Sequence, residues 1–148
     1  MTDHILYERA IEEEVEQILE PLAALSDCSG PLWRVRQSFR EAQRMGIKTF
    51  VALYNGDPMI VGTATLVVLP KISHGGAYAG LVEDVAVHPD FQGQGIGRGL
   101  VEACLKEARR LGCYKVVLAC DDDVIGFYEK LGFSPRGHAM RLDCGVCE

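Results

Sequence analysis

Leu81-Val82-Glu83-Asp84-Val85-Ala86-Val87-His88-Pro89-Asp90-Phe91-Gln92-Gly93-Gln94-Gly95-Ile96-Gly97-Arg98-Gly99, continuing to Leu111, is the stretch that decides the fold. Its apolar first part carries two adjacent carboxylates. Pro89 marks a turn, glycines alternate at 93, 95, 97 and 99, and an amphipathic segment follows. Glycines just ahead of a helix let backbone N–H groups crowd round an anion, and the helix dipole adds to the attraction. The stretch therefore predicts strand, anion cradle and helix, with a ligand that carries phosphate. A plain flexible cap would not need four glycines, which are costly where no special backbone is required. Two nucleotide cradles are excluded. No glycine is followed at the right distance by Gly-Lys, as a P-loop needs. In a G-x-G-x-x-G fingerprint starting at Gly93, Arg98 would stand in the place of the third glycine.

The 148 residues suit a single domain, 1–148, with a real core. No apolar run is long enough to span a membrane, and the N-terminus lacks a basic region followed by an apolar one. The expected location is therefore intracellular, cytoplasmic by default, with no membrane partner. The net charge of -6 argues against nucleic acid as a partner, although a small site can still be locally basic. The six cysteines mostly sit in apolar periodic segments, as small core residues do. Cys144 and Cys147 form a C-x-x-C with no second pair and no histidine cluster, so a solvent-exposed tail is expected and no metal site.

Leu6 to Ala10 reads as a short first strand. Ile11, Val15, Ile18, Leu19, Leu22 and Leu25 recur at helical spacing, with Glu12, Glu13, Glu14 and Glu16 in the first turns where the dipole favours them. Residues 26–31 break this helix. Leu32, Val35, Phe39 and Ala42 predict a second one, stopped at Gly46. Two β-rich runs, Lys48 to Tyr54 and Met59 to Leu69, flank Asn55-Gly56-Asp57-Pro58 and predict an antiparallel hairpin. After the cradle, Leu100, Val101, Cys104, Leu105, Ala108 and Leu111 mark a buried helix face ended by Gly112. Tyr114 to Cys120 reads as a strand. Asp121, Asp122 and Asp123 offer an N-cap to a short helix from Val124 to Leu131. Phe133 onward, with Met140 and Leu142, reads as a last strand. The order is β-α-α-β-β-β-α-β-α-β, with no linker and no repeat.

Glu83 and Asp84 are the oddity. Adjacent strand residues face opposite sides, yet their neighbours are all apolar. Charged groups there need partners. Either they pair with nearby Arg or Lys, or at least one lines a polar cleft off the sheet. Their place immediately before the cradle points to the cleft. Tyr128, at helical spacing within Gly126-Phe127-Tyr128-Glu129-Lys130-Leu131-Gly132-Phe133, reads on its own as a core aromatic.

Gln92-Gly93-Gln94-Gly95-Ile96-Gly97 resembles the Q/R-x-x-G-x-G/A loop of the GNAT superfamily of acyl-CoA N-acyltransferases, and F-Y-x-x-x-G-F recurs in that superfamily. Leu81-Val82-Glu83-Asp84-Val85-Ala86-Val87, Gly112-Cys113-Tyr114-Lys115-Val116-Val117-Leu118 and the Phe127 to Phe133 segment together are similar to the glucosamine-6-phosphate N-acetyltransferase family. The likeness covers the chain from about Lys71 to Phe133 and is looser in the N-terminal third.

The resemblance implies an α/β (α+β) GNAT fold, a mixed and mostly antiparallel central sheet flanked by helices. It implies acetyl-CoA as co-substrate, no metal, and transfer of an acetyl group to the amine of glucosamine 6-phosphate, a step toward UDP-N-acetylglucosamine. The alternative is an N-acetyltransferase for a different amine: a peptide, a polyamine or another amino sugar. The backbone of Val85, Ala86 and Val87 is implied to pair with pantetheine. Gln92, Gly93, Gln94, Gly95, Ile96, Gly97 and Arg98 are implied to hold the pyrophosphate, with Tyr128, Glu129 and Lys130 also at the cofactor. Glu83 and Asp84 are implied to contact the sugar and serve catalysis. Tyr128 is implied to protonate the leaving thiolate. Lys71 and His74 match a loop that approaches the sugar phosphate, and Ser26 a hydroxyl facing the substrate. Tyr114 and Lys115 match positions that in the family come from the neighbouring subunit of an intertwined homodimer. The chain departs from the family pattern at Ala119, Val124 and Asp143, although Arg141 shares a face with the last of these.

Overall fold

The computed structural model describes residues 4–54 and 59–145. They form two compact units, one running to Leu118 and one from Ala119 on. The first holds a five-stranded sheet in the order β1-β2-β3-β4-β5. Its elements are β1 Ile5–Arg9, α1 Val15–Leu22, α2 Leu32–Arg44, β2 Lys48–Tyr54, β3 Met59–Pro70, β4 Tyr78–Val87, α3 Ile96–Arg110 and β5 Val116–Val117. Neighbours from β1 to β4 are antiparallel, and β5 joins β4 parallel. This is the mixed, mostly antiparallel sheet flanked by helices that the sequence led us to expect.

The hydrophobic pattern explains the layering. On one face Phe50, Ala52, Val61, Ala64, Leu66 and Val82 meet the stripe Ile96, Leu100, Cys104 and Ala108 of α3. The 3.6-residue repeat puts these four on one side of the helix. On the other face Val51 and Ile60 meet Ala10 and Ile18, with Leu22 of α1 and Phe39 of α2 packed beside them. Thr63, buried among apolar neighbours, is satisfied by donating its hydroxyl to the Phe50 carbonyl at 3.0 Å. A 3-10 turn, Glu12–Glu14, leads into α1, so the predicted first helix is split in two. The hairpin turn at Asn55 to Pro58 lies outside the described residues.

α3 starts and stops where backbone demands it. At its C-terminus the Cys113 N–H returns to the Ala108 carbonyl and the Gly112 N–H to Arg109, satisfying carbonyls the helix would otherwise leave open. Along its length it lies so close to β3 that a Cβ at Gly62 would stand 2.9 Å from Cδ1 of Leu100 and 3.1 Å from the Ala86 carbonyl oxygen. Only a residue without a side chain fits there.

The second unit holds a 3-10 turn, Asp122–Val124, and α4 Ile125–Glu129. Asp121 occupies the capping position, but its side chain makes no capping bond. Two expectations need correction. The strand predicted over Tyr114 to Cys120 shrinks to Val116–Val117. The last strand, from Phe133 through Met140 and Leu142, is absent among the described residues, and Met140 and Leu142 are exposed. A strand needs a partner edge, and Pro135 and Gly137 break the run where pairing would begin. Of the C-terminal cysteine pair, Cys144 is exposed and unbridged, and Cys147 lies outside the described residues. No helix among the described residues is long and apolar enough to cross a membrane.

Gly62→Ala is expected to cost about 1–3 kcal/mol by overpacking, read as a lower urea midpoint with an unchanged slope. Burial pushes the Cys104 thiol up to about 12 from its ordinary 9.0. Between those values the unfolded chain loses a proton that the fold retains, so stability is expected to fall as pH rises past 9. At neutral pH a thiol reagent is expected to label exposed Cys120 and spare Cys104 until the protein unfolds.

Candidate active site

The first component is a defect in β4. Its pairing with β3 runs from Pro70↔Tyr78 to Thr65↔Glu83 and resumes at Thr63↔Ala86. Three steps along β4 are thus set against two along β3, which is a β-bulge. Asp84 takes up the slack with φ 52, a left-handed backbone that aspartate tolerates better than most side chains. The bulge breaks the alternation of the strand. Glu83 and Asp84 are both exposed, where a flat strand would have turned one of them inward.

The second component is an open flank. β5 pairs with β4 only at Gly80↔Val116 and Leu81↔Val117. Past Leu81, no described strand covers β4 on that side. The His88 N–H donates to the Val61 carbonyl at 2.8 Å, so residues 86 and 88 turn their peptide groups toward β3. Beyond the bulge the two-residue alternation holds, so Val87 presents its peptide group to the open flank, while Val85 lies within the bulge. The Gln92 side chain reaches back there, donating to the Val87 carbonyl at 3.3 Å.

The third component follows directly. A 3-10 turn, Pro89–Phe91, carries the chain from β4 into the glycine loop. Gly93 (φ 78) and Gly95 (φ 81) bend it in the left-handed region, which glycine enters without steric cost. Gly95 is also the N-cap of α3, with no side chain to cap it. Among the described residues, no acceptor is found for any backbone N–H from residue 92 to residue 98; the first such bond into the helix is Gly99 N–H to the Gly95 carbonyl at 3.1 Å. Seven donors in a row, at the positive end of a 15-residue helix, have the chemistry to receive an anion. Arg98 stands beside them, paired with Glu102 at 2.9 Å. Both side chains are more than half exposed, and such a pair is worth only ~0.3–0.5 kcal/mol, so an anionic ligand can take the guanidinium away.

A separate cluster forms at the start of β4. The Tyr114 N–H donates to the Tyr78 carbonyl at 2.9 Å, and the Gly80 N–H to the Lys115 carbonyl at 2.9 Å. The ring of His74 stacks on Tyr114 at 4.0 Å and 22°, with the Lys115 ammonium 5.4 Å from the same ring. His74 sits in the 3-10 turn His74–Gly76 with φ 54. Lys71 closes that loop by donating its N–H to the Ala77 carbonyl at 3.1 Å. Four sequence-predicted residues are thereby gathered on one short loop-and-strand segment. Glu83 and Asp84 lie farther along the same strand: Lys115 is bonded beside Gly80, three positions before Glu83, roughly 10 Å along β4. Ser26 is exposed just past α1, its N–H bonded to the Leu22 carbonyl. Next to it, the Ser29 side chain and then the Ser29 N–H, at 2.9 Å, donate to Asp27 and hold its carboxyl below the usual range.

In the second unit, Tyr128 is partly buried between Phe127 and Phe133, with ring centroids at 4.8 and 5.9 Å in edge-on contacts. The Phe133 N–H returns to the Tyr128 carbonyl at 3.1 Å, closing the turn after α4. Glu129 and Lys130, next along the chain, are exposed. Among the described residues, no group of three or more His, Cys, Asp or Glu side chains is placed to hold a metal ion.

Sequence reasoning located the carboxylates and the glycine loop but missed the bulge between them. Nothing in Glu83-Asp84 distinguishes a flat strand from a bulged one. The nearest signal was the misfit of two adjacent charges in an apolar strand.

The family model described as Acetyltransferase (GNAT) family matches residues 12–133. The glucosamine 6-phosphate N-acetyltransferase of Trypanosoma brucei brucei is 42% identical over 101 residues, 68% of this chain and 69% of that protein. The enzyme of that name from Schizosaccharomyces pombe is 44% identical over 82 residues, 55% of this chain and 74% of that one. A solved Trypanosoma brucei acetyltransferase superposes with a TM-score of 0.89 at 34% identity, covering 94% of this chain and 99% of the other. A bulged central strand running into a glycine cradle, within a family match that spans most of the sequence, means that the chain belongs to the GNAT acetyltransferase family.

Proposed function

We propose that this protein transfers the acetyl group of acetyl-CoA to the amine of glucosamine 6-phosphate, giving N-acetylglucosamine 6-phosphate for UDP-N-acetylglucosamine synthesis. The observation that carries the reading is the row of unpaired N–H groups from residue 92 to residue 98, next to a bulged strand whose acid pair is exposed. A diphosphate matches those donors in charge and in number of acceptors. The names of the relatives supply the acceptor.

In this reading acetyl-CoA supplies a thioester, an acyl donor with a good leaving group. The chain's own groups do the rest. The N–H of Val85, at the bulge, stabilises negative charge developing on the acyl oxygen. Glu83 or Asp84 orients the attacking amine and accepts its proton, directly or through water. A C–N bond forms, the C–S bond breaks, and Tyr128, assigned by the F-Y-x-x-x-G-F motif, returns a proton to the thiolate. Holding both reactants supplies much of the rate.

The cluster of His74, Tyr114, Lys115 and Lys71 suits the sugar phosphate by charge. In the family that the chain resembles, the positions of Tyr114 and Lys115 come from the neighbouring subunit. The reading therefore includes a homodimer, in which each copy's cluster serves the other copy's acid pair. Ile72, Tyr78 and Val117, apolar and exposed around the cluster, give that contact surface to bury. The reading takes residues 1–148 as a single catalytic domain, of which the family match covers 12–133. The substrate is a phosphorylated sugar, so the reading places the enzyme in the cytoplasm with it.

A thiol-release assay with acetyl-CoA and a panel of amines tests the proposal: turnover is expected with glucosamine 6-phosphate, and activity confined to a peptide amine or polyamine would overturn it. Tyr128→Phe is expected to lower kcat about ten- to a hundred-fold, the lower end of what proton transfer contributes; an unchanged kcat removes the acid role. Bulky residues at Gly95 or Gly97 are expected to raise the Kd for coenzyme A at least ~10-fold, measured by titration calorimetry.

A further inference from the structure

Three of the four alternating glycines belong to the loop or the very start of α3. Gly99 does not. It is the fourth residue of α3, its N–H is already spent on the Gly95 carbonyl, and its φ is not left-handed. A glycine inside a helix weakens it relative to alanine, so this one calls for a packing reason.

The reason comes from the far edge of the sheet. Tyr7, in the middle of edge strand β1, lays its ring against α3 at this point. A Cβ on Gly99 would overlap Cζ and the hydroxyl of Tyr7 and come within 2.6 Å of its Cε1. At Gly93 and Gly95, by contrast, a Cβ would meet open space. The ring thus fills the notch left by Gly99, and a side chain at that position would force it to move. Tyr7 keeps 37% of its surface exposed, and its partial burial, then the nearby Glu102 carboxylate, push its phenol above the ordinary range. Glu102 in turn pairs with Arg98. Tyr7 accordingly stands at the turn that carries the last donors of the cradle.

We propose that Tyr7 is a positioning residue for the anion cradle: seated in the notch left by Gly99, it clamps the first turn of α3 and fixes how the N–H groups of Ile96, Gly97 and Arg98 meet a diphosphate. The buried stripe of Ile96 and Leu100 holds the helix down on the sheet. Tyr7 adds a contact at Gly99, between them in sequence, and so resists rolling about the helix axis. Rolling would swing all three donors together. This inference rests on the coenzyme A reading above.

The test compares wild type with Tyr7→Ala, Tyr7→Phe, Gly99→Ala and the Tyr7→Ala/Gly99→Ala double variant. Coenzyme A binding is followed by calorimetry, and amide exchange at Gly99 and Leu100 is measured in the free protein. Tyr7→Ala and Gly99→Ala are each expected to raise the Kd about tenfold, the loss from one loosened charge-assisted hydrogen bond. The double variant is expected to bind no worse than the weaker single one, because one contact is broken twice. Tyr7→Phe keeps the ring and is expected to bind like wild type. At saturating acetyl-CoA kcat is expected to stay within about twofold in all of them, since the groups at the reacting centre are untouched. Exchange at Gly99 and Leu100 is expected to quicken in Tyr7→Ala but not in Tyr7→Phe. Should Gly99→Ala fail to fold, the two Tyr7 variants decide the matter. Wild-type affinity in Tyr7→Ala, or losses that simply add in the double variant, overturns the clamp. Failure of wild type to bind coenzyme A would sink the diphosphate reading instead; amide exchange then still decides whether Tyr7 holds the turn, and an unchanged rate in Tyr7→Ala refutes it.

Discussion

A helix must begin with donors that nothing within it can satisfy, and in this protein that necessity is concentrated at one place. The open N–H groups from residue 92 to residue 98 are the first turn of α3 extended backwards by a loop bent at Gly93 and Gly95. Their value depends on where α3 lies. Its stripe of Ile96, Leu100, Cys104 and Ala108 is fixed against β2, β3 and β4, and the missing side chain at Gly62 lets it descend onto the sheet. A looser core would blur the donors. The packing of one helix face and the electrostatics of that helix's end are therefore one design.

The strand feeding the loop is shaped to the same purpose. One extra residue in β4 turns both carboxylates outward, and the early end of β5 leaves the flank beyond Leu81 uncovered. An acyl group held on that flank meets the peptide group of Val87 on one side and acid groups just upstream. The bulge costs some backbone strain at Asp84, of order 1–3 kcal/mol, and the surrounding ladder absorbs it.

Much of this was legible in the chain. The apolar repeats of α2 and α3, the β-branched runs of the hairpin and the glycine loop each have a local physical cause, and each element formed close to where it was expected. What could not be read was set by pairing across distance. Glu83 and Asp84 look the same in a flat strand as in a bulged one. Val116 and Val117 form a strand because Gly80 and Leu81 lie beside them, while equally apolar Leu118 and Ala119 find no such neighbour. Met140 and Leu142 carry a strand-like pattern with no edge to receive it. Gly99 reads as one more member of a phosphate loop until Tyr7, 92 positions earlier, is seen above it.

The uncovered flank of β4 has another side. A row of unsatisfied peptide groups on an extended chain is a template on which stray polypeptide can assemble, and proteins guard such templates with charge. Here two carboxylates stand at the mouth of the gap, in a kink that a flat incoming strand cannot match. On the proposed reading, one and the same gap would receive a small acyl donor and discourage edge-to-edge pairing with another chain.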